Sequence, residues 1–81
     1  MNIEQLVLSL DIPARLQIVA WVTITEAQTH LAECKNGTTS LSPKITVAPF
    51  LKVIHSLGVP SEDYFRVMSF LYADSELFPD A

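Results

Sequence analysis

The chain has 81 residues, of which 49% are apolar and only 17% charged, with a net charge of −4 and a mean hydropathy of +0.32. A chain this short buries only about 60–65% of the surface its unfolded form exposes, so a single small domain over 1–81 is expected, with more apolar surface than a shallow core absorbs. The acidic excess lies wholly beyond Pro60, where Glu62, Asp63, Asp74, Glu76 and Asp80 are set against Arg66 alone; with no basic stripe to neutralise phosphates, nucleic-acid binding is disfavoured.

In chain order, the first element is a short helix over residues 2–10, in which Ile3, Leu6, Val7 and Leu10 recur at spacings of three and four. "LDIPAR" then reads as a helix start, with Asp11 placed to cap and Pro13 tolerated in the first turn. The apolar run "LQIVAWVTIT", residues 16–25, fits two templates. As a strand it alternates respectably. As a helix it puts Leu16, Val19, Ala20, Thr23, Ile24, Ala27 and Leu31 on one face. The helix runs unbroken into "EAQTHLAECK", whereas a strand needs a turn near Thr25 that no Gly, Pro or Asn supplies. One helix from near Pro13 to near Lys35 is therefore expected, the alternative being an α+β fold with a short strand at 16–25.

Asn36-Gly37 closes that helix by supplying positive φ, and a Thr/Ser/Pro loop follows. Val47, Phe50, Leu51, Ile54 and Leu57 form the clearest helical stripe, with Thr46 as the expected cap, Pro49 in the first turn and Gly58 as the stop. Ser61 is the expected cap of the last main helix, with Glu62 and Asp63 set to favour the positive end of its dipole. Tyr64, Val67, Met68 and Leu71 share one face of it, while Phe65, Phe70 and Tyr72 surround the rest. A short acidic tail from about residue 74 can tuck Leu77-Phe78 back onto the body. The expected fold is all-α, a small bundle of three main helices plus a short N-terminal one.

The chemistry-bearing residues form no convincing set. Glu26, His30 and Cys34 recur every four residues, but structural zinc takes four ligands; His30 reads better at a core margin and Cys34 as a small buried hydrophobe. His55, beside Lys52 and Ser56, reads as solvent-facing. Two glycines leave no room for a phosphate loop or a nucleophile elbow. No enzyme activity, metal, cofactor or small-molecule substrate is expected. A lone cysteine makes no internal disulfide, "MNIEQLVLSL" lacks the basic start of a secretory signal, and no apolar run reaches the roughly 18 residues of a membrane span. A cytoplasmic protein that binds no membrane fits, and the sequon Asn36-Gly37-Thr38 then marks only a turn.

"FLKVIHSLGVPSEDYFRVM" resembles the final two helices of repressor-type helix-turn-helix domains of the Cro/C1 class, over about a quarter of the chain. The resemblance implies a degenerate DNA-binding regulator. However, the segment where a recognition helix belongs, "KNGTTSLSPKIT", is short and weakly basic, so no DNA-contacting residue carries over. The leading expectation is a protein–protein interaction module: an adaptor, an assembly factor or an inhibitor of a larger complex, docking apolar helix faces on another protein or on a second copy of itself. Two sets of residues lie off the main stripes of their helices: Ile18, Trp21 and Val22, and Phe70 with Tyr72. Interfaces are enriched in such aromatic anchors, so one of these sets is expected to be the contact surface.

Overall fold

The computed structural model describes residues 2–73. These form four helices: α1 (Ile3–Ser9), α2 (Ala14–Lys35), α3 (Pro43–Ser56) and α4 (Ser61–Leu71). The described residues contain no strand, so 16–25 is helical throughout. The acidic tail and its Leu77-Phe78 pair lie outside the described residues.

α1 is short but firmly started. Asn2 Oδ1 accepts from the Gln5 amide at 2.8 Å, and Gln5 Oε1 accepts from the Asn2 amide at 3.0 Å, a reciprocal pairing that satisfies two donors the helix cannot. α2 begins differently. Pro13 occupies its cap position without any side-chain hydrogen bond, and the first turn holds no acid. The expected Asp11 cap does not form, because the helix starts at Ala14 and its cap position falls on Pro13, two residues after Asp11. α2 ends as expected at Gly37, whose φ is +72°. Thr38 N–H donates to Glu33 O at 3.0 Å and Gly37 N–H to Cys34 O at 3.2 Å, which satisfies two terminal carbonyls in a Schellman arrangement.

α3 starts a turn earlier than the stripe predicts. Ser42, not Thr46, is its cap, accepting from the Ile45 amide at 3.3 Å, and Pro43 fills the first position. Ser-Pro suits a helix start because the proline's missing N–H is unneeded there. Pro49 is consequently interior, where it withholds the hydrogen bond that Ile45 O would accept. Thr46 instead donates its hydroxyl to Ser42 O at 2.9 Å. At the start of α4 the cap position is Pro60, and Ser61 makes no capping bond; residue 61 is already helical, so its side chain is one position too late to cap.

The core gathers one stripe from each helix: Leu6, Val7 and Leu10; Ala20, Ile24, Ala27 and Leu31; Val47, Leu51 and Ile54; Val67 and Leu71. The most extensive helix contact is between α2 and α3. His30 on Phe50 and Cys34 beside Thr46 are among its side-chain contacts, while Ala20 and Ala27 of α2 are fully buried in the core. The buried stripe of α2 is narrower than expected, and Val19 falls outside it, 40% exposed.

Long-range polar contacts tie the two ends of the described chain together. Asp63 is buried, and its Oδ2 accepts from the Asp11 amide at 2.8 Å. Its Oδ1 pairs with Arg66, whose guanidinium also donates to Ser9 Oγ at 2.8 Å and Ser9 O at 3.0 Å. The Asp11 amide holds the Asp63 carboxyl below its ordinary pKa; burial opposes this, and the Arg66 hydrogen bond and charge add to the lowering. Glu62, by contrast, is exposed. The two adjacent carboxylates do point apart, but Asp63 is a tertiary anchor rather than a first-turn charge alone.

Candidate functional site

The structure brings Ile18, Trp21 and Val22 together on the side of α2 away from α3, and adds a residue from α1. Leu8 is 62% exposed, Ile18 71%, Val22 50% and Trp21 39%. With Val7, Ala14 and Gln17 these side chains line a shallow apolar hollow of about 300 Å³ where α1 meets the first half of α2. Their presence follows from the helical period. Residues 18 and 22 lie one turn apart on one line, whereas the buried stripe at 20, 24, 27 and 31 occupies a different side. The α1–α2 hairpin then lays Leu8 beside them. Leu8 was missed in the sequence because its contribution depends on how α1 docks, although its position between the buried Val7 and Leu10 marks it as off-stripe.

Single exposed apolar residues are ordinary, whereas a contiguous group of four large ones is the kind of patch often tied to function. Arg15 and Glu26 border it, both exposed and neither in an ion pair among the described residues.

Phe70 and Tyr72 are placed elsewhere and apart from each other. Both are half-buried and packed on the core. Phe70 lines a hollow with Phe65, Arg66 and Ser69. Tyr72 lines a larger groove of about 580 Å³ between α3 and α4, with Lys44, Lys52, His55, Tyr64 and Phe65. Burial, with a smaller contribution from Tyr64, pushes the Tyr72 phenol above its ordinary pKa. His55 is exposed, as expected, and meets the Tyr64 ring edge-on at 5.7 Å between centroids.

Glu26, His30 and Cys34 do not converge. The His30 ring stacks on Phe50 at 5.3 Å, and its Nδ1 lies 3.5 Å from Glu33. His30 is exposed rather than at a core margin. Cys34 is half-buried rather than enclosed, with Sγ 3.3 Å from Thr46 Oγ1 and 3.6 Å from Leu41 O. Among the described residues no group of three His, Cys, Asp or Glu side chains is placed to hold a metal ion, and no helix is long and apolar enough to cross a membrane.

No protein-family model, no curated protein and no solved structure matches this chain.

Proposed function

We propose that this protein is a non-enzymatic interaction module that works as an adaptor, an assembly factor or an inhibitor of a larger complex. The observation that supports this reading is the contiguous exposed face of Leu8, Ile18, Trp21 and Val22. Leaving four large apolar side chains in water forgoes stabilisation of about 1.5–3 kcal/mol for each that could be fully buried. Docking against a protein surface recovers part of that. Ile18, Trp21 and Val22 carry the contact; Phe70 and Tyr72, already half-covered by the core, support the body behind it.

The test is affinity capture with the wild-type chain and with Ile18→Ser/Val22→Ser, each with and without nuclease, alongside sedimentation of the purified chain. A stoichiometric protein partner, or self-association, that survives nuclease and is lost in the double variant is expected. Trp21→Ala should weaken the same association while leaving far-UV circular dichroism nearly unchanged. Capture that vanishes with nuclease would replace this reading with a DNA-binding one, and a helicity collapse in Trp21→Ala would return that residue to the core.

A further inference from the structure

We infer that the occupant of the α2 face is a second copy of the chain, packed antiparallel about a two-fold axis near the Ala20–Trp21 peptide. This rests on the reading of that face as a binding surface and goes on to name its partner. An isologous contact requires a surface complementary to itself under a half-turn, and α2 has such a pattern in both apolarity and charge.

Ile18 and Val22, the two most exposed large apolar residues of α2, have their midpoint at residue 20. Arg15 and Glu26 are eleven residues apart, which on an α-helix is about 20° in azimuth and ~16 Å in rise. They therefore lie on nearly one line along the flank of the Ile18–Val22 row, and their midpoint falls between Ala20 and Trp21. A half-turn there sets Ile18 of each copy against Val22 of the other and brings Trp21 of both near the axis. It also sets each Arg15 against the other copy's Glu26, giving two opposite-charge pairs at the rim.

An independent feature of α2 fits the same arrangement. Its first turn has no side-chain cap and no acid, and it carries Arg15, a cation at the positive end of the helix dipole. The antiparallel partner delivers Glu26 to that end. The acidic excess of the chain lies beyond Pro60, so α2 meets α2 with its own flanking charges matched. The four-residue patch is small beside the ~1,200–2,000 Å² of a standard interface, which fits a weak, reversible dimer.

The experiment is sedimentation equilibrium from ~1 µM to ~1 mM, a window that covers weak to moderate affinities, with emission from the single tryptophan as a second readout. The wild type is expected to pass from monomer to dimer as its emission shifts to the blue. Arg15→Glu and Glu26→Arg each set like charges at both rim pairs, and each is expected to weaken the dimer about tenfold. An equimolar mixture of the two single variants restores opposite charges at both pairs, as does the double swap; each should return to wild-type affinity. Recovery in the mixture also distinguishes lost pairing from a failure to fold. A wild type that stays monomeric overturns the inference, as does a mixture that stays as weak as its components. If the monomer still captures a protein partner that Ile18→Ser abolishes, the face binds something other than a second copy and only the identity of the occupant falls. If it captures none, the binding reading falls with it.

Discussion

Removing the Asp63 carboxylate tests how the short helices are held to the body. Asp63→Ala takes the acceptor from the Asp11 amide and leaves Arg66 with only its two bonds to Ser9. A hydrogen bond to a charged group contributes about 1.5–3 kcal/mol. The Arg66 side chain is 39% exposed, so that ion pair adds at most ~1 kcal/mol after solvent screening. The expected loss is about 2–3 kcal/mol, a large share of the ~4–12 kcal/mol total for a domain of this size. At about 4–8 °C per kcal/mol, Tm falls by roughly 10–20 °C in thermal unfolding followed by circular dichroism at neutral pH.

The effect should depend on pH in a defined sense. The folded pKa of Asp63 lies below the ordinary value of an aspartate. The native state therefore binds the proton less readily than the unfolded chain, and the contribution is fully present above about pH 4. It is lost as pH falls through the lowered folded value. The gap between wild type and Asp63→Ala should thus be widest near neutrality and narrow as the pH falls below the ordinary carboxylate range. A gap below about 0.5 kcal/mol at neutral pH, or one unchanged into acid, would refute the reasoning.

Pro49→Ala restores an amide to Ile45 O at an exposed interior position of α3. It should stabilise the fold by about 1–3 kcal/mol in urea titrations, whereas no gain would mean that the proline's restriction of the unfolded chain offsets the missing hydrogen bond. Ala27→Leu adds volume at a fully buried position on the α2 stripe and should cost about 1–3 kcal/mol or more by overpacking, while Val19→Ala, four-tenths exposed, should cost well under 1 kcal/mol by the same urea assay.

The helical stripes were legible because burial and periodicity report the same thing over ten or more residues. Val47, Leu51 and Ile54 are buried where the spacing put them, as are Leu6, Val7, Val67 and Leu71. The caps were harder. Thr46 and Ser61 look like caps beside an apolar run, but a cap depends on the first helical residue, and Ser42-Pro43 moved that point for α3. Asp11 and Asp63 were read locally because the bond that joins them spans 52 positions, beyond any window of periodicity. Val19 was misplaced because a periodic stripe does not fix how wide a face the neighbouring helices cover, and at 40% exposure Val19 falls beyond that edge. The candidate surface was half visible: Ile18, Trp21 and Val22 declared themselves by lying off the stripe, but nothing local separated them from Phe70 and Tyr72, and Leu8 joined them only through the hairpin.

The Asp63–Arg66 anchor also bears on the order in which the molecule assembles. The α2–α3 pair is joined by a short loop and makes local contacts, which form early because little chain entropy is lost in closing them. The bonds from α4 to residues 9 and 11 close loops of more than fifty residues and are reached only once that hairpin exists. Contacts made after the transition state govern escape from the native state rather than arrival at it. Weakening the anchor is therefore expected to speed unfolding and leave the folding rate almost untouched, so that residues at the two ends of the described chain act as a latch on the native state.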